Sequence, residues 1–75
     1  MPQIDVLATG ARIKSLAAEK GFKVTDIQKK CGLGTPQTVF KWFRGATVPS
    51  LDNLVNLACM LEVGIDDILI YTKGE

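Results

Sequence analysis

The pattern of hydrophobic positions along the chain predicts five helices and no strands. Apolar residues recur at the three-to-four-residue spacing of an amphipathic helix, and no stretch of useful length alternates apolar and polar residues. The predicted helices cover about residues 5–20, 24–31, 36–44, 51–61 and 65–70. The pattern therefore favours an all-α fold, a compact arrangement of five helices.

Capping residues and glycines mark the ends of these helices. Asp5, Thr35 and Ser50 precede helical segments and suit the N-cap position. Pro36 suits the first position after Thr35, because its missing N–H would have no partner there. Three helices are followed by a glycine, namely Gly21, Gly32 and Gly45. The segment 32-GLGT-35 is thus a short turn between the second and third helices.

Each predicted helix has one apolar side that we expect to form the core. The expected core residues are Ile13, Leu16, Ala17, Ile27, Cys31, Leu51, Leu54, Val55, Leu57, Ala58 and Leu61. Cys59 is also expected to be a small buried side chain. Gly10 interrupts the first helix and is expected to weaken it by about 1 kcal/mol relative to alanine.

The third helix separates an apolar side from a side of long hydrogen-bonding side chains. With about 100° per residue, Lys41 and Arg44 fall within about 40° of Gln37. The other side carries Val39, Trp42 and Phe43, and Phe40 lies on the border. Trp42 is expected in the core rather than as an exposed stacking platform.

The exposed side of this helix has two interpretations. Glutamine can form two hydrogen bonds with adenine, and lysine and arginine reach guanine acceptors or phosphates. A threonine beside the free N–H groups of a helix N-terminus suits a phosphate oxygen. The same residue types are also common on solvated helix surfaces. The helix alone therefore leaves open whether it reads DNA or only faces water.

The neighbouring segments favour the first interpretation. The stretch 24-VTDIQKKCGLGTPQTVFKWFRG-45 has a helix, a short glycine turn and a second helix. Together with 12-RIKSLAAEKGF-22 and 48-VPSLDNLVNLACMLEVGIDDIL-69, it resembles the lambda-repressor-like, Cro-like (XRE-type) helix-turn-helix family of bacteria and phages. The resemblance covers nearly the whole chain. It implies one domain over residues 1–75 that binds specific DNA sequences as a small transcriptional regulator.

The resemblance also implies roles for residues of the third helix. Gln37 and Lys41 would face base edges in the major groove, with Thr38 and Phe40 beside them. Phe40 would meet either a thymine methyl group or the sugar-phosphate rim. Thr35 and Arg44 would hold phosphates at the two ends of the helix. Ile27, Val39, Trp42 and Leu54 would be core residues.

The chain departs from the family pattern at some backbone-contacting positions. Val24 stands where the family often has a phosphate-binding glutamine, and Lys23 or Thr25 is expected to replace it. The loop 46-ATVPS-50 has no cation where relatives often carry one. Fewer phosphate contacts predict weaker and less salt-sensitive binding. Glu62 takes the place of the family's helix-ending glycine.

The net charge is only +1, but the charges are unevenly distributed. Residues 1–45 contain eight Lys or Arg and three Asp or Glu, a balance of +5. Residues 46–75 contain one Lys or Arg and five Asp or Glu, a balance of −4. This asymmetry indicates that a polyanion would bind the N-terminal part.

Other classes of function find little support in the sequence. Histidine is absent, and the two cysteines lack a zinc-binding spacing, so we expect no metal and no cofactor. Asp66 and Asp67 point about 100° apart on a helix, and no nucleophile with a base is visible, so catalysis and a small-molecule substrate are not expected. No apolar run reaches about 18 residues, and no secretory signal is evident. A cytoplasmic protein with reduced thiols is expected.

Two functions are carried forward. The first is a DNA-binding regulator acting as a homodimer, because one short helix reads few base pairs. Ile70 and Tyr71 near the C-terminus either form the contact between the two copies or only cover the edge of the core. The alternative is a protein-interaction module on the same fold, antitoxin-like or an anti-repressor adaptor, with weak or no DNA binding. The near-neutral charge and the missing cation in the loop favour it.

Overall fold

The computed structural model describes residues 2–73 and confirms the five predicted helices. Met1, Gly74 and Glu75, which belong to the expected 1–75 domain, lie outside the described residues. The elements are β1 (Gln3–Ile4), α1 (Val6–Lys20), α2 (Val24–Lys30), α3 (Gln37–Phe43), α4 (Leu51–Leu61), α5 (Ile65–Ile68) and β2 (Tyr71–Thr72). Helix α5 is shorter than predicted because the backbone is already extended at Leu69.

The prediction of no strands was wrong, since β1 and β2 form a small antiparallel ribbon. Gln3 pairs with Thr72, and Ile4 pairs with Tyr71. The Asp5 N–H continues this pairing by donating to the Ile70 carbonyl oxygen at 2.7 Å. Each strand has only two residues, which is too short for an alternating pattern to be visible in the sequence. The ribbon joins the two ends of the described chain.

The core is formed by one side of every helix. Its buried apolar residues are Ile13, Leu16, Ala17, Ile27, Val39, Trp42, Leu54, Leu57, Ala58, Leu61 and Ile68. The predicted core positions Leu51 and Val55 were wrong, because their side chains are 71% and 46% exposed. Helix α4 turns its Leu54 side toward α1, α2 and α5, so the neighbouring part of its apolar surface faces outward.

The two cysteines occupy different environments. Cys31 packs against the core as predicted, but it is only half-buried and lies at the edge. Cys59 is exposed, so its predicted burial was wrong. On α4, Cys59 lies one turn after the exposed Val55 and shares its outward orientation.

Side chains of α1 hold the C-terminal segment in place. The Thr9 hydroxyl donates to the Ile70 carbonyl oxygen at 3.3 Å and accepts the Ile70 N–H at 3.0 Å. Thr9 is only 1% exposed, whereas Ile70 is 37% exposed, so the Thr9 side of this pair of bonds is shielded from water. Farther along α1, the Arg12 Nε donates to the Asp67 carbonyl oxygen at 2.9 Å. Helix α1 therefore fixes both α5 and the start of β2.

Candidate nucleic-acid interface

The turn between α2 and α3 is closed by Gln28 and Leu33. The Leu33 N–H donates to the Gln28 carbonyl oxygen at 2.9 Å, and the Gln28 side-chain amide donates back to the Leu33 carbonyl oxygen at 3.3 Å. Gly32, in the left-handed region at φ 66°, permits this reversal. The sequence predicted the glycine but gave no signal for Gln28. These bonds set the direction in which the chain enters α3.

Thr35 hydrogen-bonds the first residue of α3 but is not its N-cap as predicted, because the helix begins one residue later than expected. The Thr35 Oγ1 accepts the Gln37 N–H at 3.0 Å. Pro36 already has helical dihedral angles, and its carbonyl oxygen accepts the Phe40 N–H at 3.2 Å. The first regular residue of α3 is nevertheless Gln37, and Pro36 occupies the cap position that was predicted for Thr35. The Thr35 hydroxyl hydrogen stays available for a further acceptor.

The end of α3 is set by a left-handed glycine. Gly45 has φ 76°, and its N–H donates to the Trp42 carbonyl oxygen at 3.1 Å. The Ala46 N–H donates to the Lys41 carbonyl oxygen at 2.9 Å, which completes a Schellman motif. Arg44, predicted as the last helical residue, is the C-cap after Phe43. Its side chain is exposed at the end of the helix.

The two sides of α3 separate as the helical pattern predicted. Val39 and Trp42 are 0% and 3% exposed, which confirms their place in the core. Gln37, Lys41 and Arg44 are all exposed. Gln37 and Lys41 are one turn apart, with Cβ atoms about 5–6 Å from each other. We call the exposed residues Gln37, Phe40, Lys41 and Arg44 the α3 polar surface, with Thr38 at its edge.

Phe40 is the one aromatic member of this surface. Its side chain is 45% exposed, whereas Phe43 packs against the core. Thr38 is half-buried on the adjoining side of the helix. Phe40 therefore presents an apolar ring between long polar side chains.

Lys23 and Thr25 lie at the N-terminus of α2, which packs against α3. The Lys23 N–H donates to the Asp26 Oδ2 at 2.7 Å, so its backbone helps to cap α2. Both side chains are exposed. The DNA contacts predicted for these two residues, like those of the α3 polar surface, stay predictions.

Helix α1 approaches α3 closely at Gly10, a relationship that the sequence did not reveal. A Cβ atom at Gly10 would overlap the Trp42 carbonyl oxygen and would lie 3.0 Å from that of Phe43. Gly10 is buried, and α1 and α3 are in extensive contact. The signal available in the sequence was a lone glycine inside an otherwise regular helix, which often indicates close packing. Gly10 therefore sets how closely α3 packs against α1.

The positive charge of the N-terminal part does not all belong to the α3 polar surface. Arg12 bonds to α5 through the Asp67 carbonyl oxygen. Lys29 and Lys30 border a shallow hollow with Phe22 and Met60, on the α4 side of α2. Lys23, Lys41 and Arg44 are exposed cations at the α3 polar surface or at the start of α2. The positive charge of residues 1–45 is thus not concentrated on the candidate interface.

Other kinds of site are not visible within residues 2–73. No three His, Cys, Asp or Glu side chains there come together to hold a metal ion. None of the described helices combines the length and apolar character needed to cross a membrane. Asp67 accepts the Gly64 N–H through its Oδ2 at 3.0 Å, so this carboxylate caps α5. Burial raises the pKa of the Cys31 thiol, which the nearby charge of Lys30 partly offsets.

A family model described as helix-turn-helix matches residues 13–68. The chain belongs to the XRE-type helix-turn-helix family. Members of this family are DNA-binding transcriptional regulators. A search among curated proteins finds no match.

Solved structures have the same fold. The restriction-modification controller protein C.AhdI from Aeromonas hydrophila superposes with a TM-score of 0.76 at 26% identity, covering 85% of this chain and 96% of that one. The clp gene regulator ClgR from C. glutamicum superposes with a TM-score of 0.72 at 22% identity, covering 83% of this chain and 79% of that one. The DNA-binding domain of BldD superposes with a TM-score of 0.69 at 18% identity, covering 87% of this chain and 93% of that one. The five-helix arrangement is therefore shared with known regulators.

Proposed function

We propose that this protein is a transcriptional regulator that binds double-stranded DNA with α3 in the major groove. The observation that carries the proposal is the separation of α3 into a buried side, Val39 and Trp42, and an exposed side of long hydrogen-bonding residues. The family of the chain supports it, because its members are DNA-binding regulators. The same family membership supports a cytoplasmic protein that does not act as an enzyme.

In this proposal Gln37 and Lys41 of α3 read base edges. Gln37 hydrogen-bonds adenine, and Lys41, one turn later, reaches a guanine acceptor. Both side chains are exposed and share one side of the helix. Thr38 and Phe40 lie beside them on the helix and also face the groove. Substituting Gln37 by alanine is expected to weaken binding by about 1–3 kcal/mol and to relax the choice of base at one position.

The ends of the helix-turn-helix hold the DNA backbone. The Thr35 hydroxyl, which accepts the Gln37 N–H, donates to a phosphate oxygen at the start of α3. Arg44 binds a phosphate at the other end of the helix. Lys23 or Thr25, at the exposed N-terminus of α2, supplies a further phosphate contact. These contacts fix the register of α3, whereas the base contacts set the sequence preference.

We propose that the regulator acts as a homodimer through the ribbon surface, which comprises Ile4, Ile70 and Tyr71. Ile4 and Tyr71 pair across β1 and β2 and are 47% and 59% exposed, and Ile70, 37% exposed, comes immediately before β2. A twofold pair would place two copies of α3 on half-sites about 34 Å apart. Tyr71→Ser should shift the chain toward monomer in sedimentation, whereas Val55→Ser, at an exposed apolar residue of α4, should not. A dimer that only Val55→Ser weakens would contradict this interface.

The proposed function is tested by selecting bound duplexes from a random DNA pool at two salt concentrations. Enrichment of a palindromic motif, weaker at the higher salt concentration, is the expected result. A variant with Gln37→Ala should select the motif with one position relaxed. No enrichment under either condition would contradict DNA recognition.

A protein-interaction module is the second candidate function. The observation that favours it is the scarcity of cations around α3, since Arg12 bonds to α5 and the loop 46-ATVPS-50 has none. An antitoxin-like or anti-repressor adaptor would keep the fold while binding a protein in place of DNA. Failure of the duplex selection would favour this function.

A further inference from the structure

We infer that Phe40 reads the C5-methyl group of a thymine, so that the recognised DNA carries a thymine at a fixed position beneath α3. The inference rests on the proposed function and adds to it a ligand chemistry and a specificity-determining residue. It chooses between the two contacts expected for Phe40, the thymine methyl group and the sugar-phosphate rim.

The environment of Phe40 is the first observation. Its ring is 45% exposed, although the opposite side of α3 is buried in the core. Among residues 2–73, the half-buried apolar side chains that pack against the core include Phe43 but not Phe40. Nearly half of the Phe40 surface is therefore free to contact a ligand.

The position of Phe40 within the α3 polar surface is the second observation. It follows Gln37 by three residues and precedes Arg44 by four, so both lie beside it on the helix surface. A helix that presents Gln37 to base edges also brings Phe40 to the groove. Phe40 lies about 60° around the helix from Gln37. Its ring therefore enters the groove beside the glutamine.

The chemistry of the major groove then selects the contact. The groove presents hydrogen-bond donors and acceptors from all four bases, and the thymine C5-methyl group is the apolar feature among them. A phenylalanine ring makes no hydrogen bond with phosphate, whereas it gains from covering a methyl group. Phe40 is also about 4.5 Å farther along the helix axis than Gln37. The thymine is therefore expected within one or two base pairs of the base that Gln37 contacts.

The experiment replaces each thymine of the selected duplex, one at a time, by deoxyuridine, which removes only the methyl group. The full-length chain should lose about fourfold in affinity at one position of each half-site, the factor for burying one methyl group. Phe40→Ala should bind more weakly and show no further loss at that position. Phe40→Leu, which keeps apolar bulk, should retain most of the dependence.

Val55→Ala is the matched control, because Val55 is an apolar residue of equal exposure, 46%, on α4. It should leave the thymine dependence unchanged. Circular dichroism on each variant shows whether it keeps the helical fold. Equal losses in the wild-type chain and Phe40→Ala, or no sensitive thymine at all, would overturn the inference while leaving the proposed function intact. Failure to select any duplex would overturn both.

Discussion

Gly10 of α1 lies directly against the backbone carbonyl oxygen of Trp42 in α3. The side chain of Trp42 is 3% exposed, so the same residue anchors α3 in the core and contacts α1 through its backbone. A glycine in the middle of a helix lowers helix stability, but it allows two helices to approach more closely than any other residue would. The position of the candidate DNA-binding surface thus depends on a residue that does not touch DNA.

Gly10→Ala should therefore displace α3 and lower the free energy of unfolding by about 1–3 kcal/mol, the usual range for overpacking. This direction is opposite to the gain of about 1 kcal/mol that helix propensity alone predicts. Urea denaturation measures the change, and duplex binding reports the displacement of α3. Gly34→Ala is the control, because a Cβ atom at Gly34 meets nothing within 4 Å. A Gly10→Ala protein of unchanged or higher stability would show that this contact is not restrictive.

Thr9→Val should lower the free energy of unfolding by about 0.5–1.5 kcal/mol, because it removes the Thr9 acceptor of the part-buried Ile70 N–H. The wild-type hydroxyl accepts that N–H at 3.0 Å and is shielded from water. Hydrogen exchange at the Ile70 amide should accelerate in parallel. Thr72→Val removes only an exposed bond of 3.5 Å to the Gln3 carbonyl oxygen and should have little effect. Equal effects of the two substitutions would argue against a special role for Thr9.

Glu62→Gly should raise the free energy of unfolding by up to about 1 kcal/mol. Glu62 ends α4 with φ 58° and ψ 44°, a left-handed conformation that disfavours residues with a Cβ atom. Thermal and urea unfolding would measure the gain. Gly21→Ala makes the reverse change at φ 77° with no neighbour within 4 Å, so backbone strain alone should destabilise it. If Glu62→Gly destabilises the protein, the side chain of Glu62 contributes more than its backbone strain removes.

Cys59 should react with an alkylating reagent well before Cys31 does. Cys59 is exposed, whereas Cys31 is half-buried and its pKa is raised from 9.0 by burial. Because the thiolate is the reactive form, the Cys31 rate should stay low at about pH 8 and rise only as the pH passes its raised pKa. Mass spectrometry during a time course identifies the modified residue, and Cys59→Ser should remove the fast phase. A fast phase that survives Cys59→Ser would contradict the described burial of Cys31.

Periodicity and capping residues were enough to predict the helices of this chain. Val39 and Trp42 are buried as the helical pattern of α3 requires, and Asp5 caps α1 by accepting the Ala8 N–H at 2.9 Å. These features are local, because each depends on residues within one or two turns of a helix. The side of α3 that faces solvent could therefore be assigned before any tertiary structure was available.

The remaining features depend on contacts between distant residues. The pairing of Ile4 with Tyr71 joins segments too short to show a strand pattern. The exposure of Leu51 follows from how α4 is oriented toward its neighbours, since its apolar side is wider than the core it covers. The close approach of Gly10 to Trp42 is likewise a property of two packed helices. None of these relationships is encoded in local spacing.

The central claim is that the α3 polar surface binds DNA, and the salt dependence of duplex binding tests it most directly. Each phosphate contact contributes about 0.9 to the slope of log affinity against log salt concentration. The double variant Lys41→Gln, Arg44→Gln should bind at least about tenfold more weakly, with a slope smaller by about one to two. The control is the double variant Lys29→Gln, Lys30→Gln, which removes the same amount of positive charge from the hollow beside Met60. It should leave the slope nearly unchanged. Equal slopes for both double variants would contradict the claim.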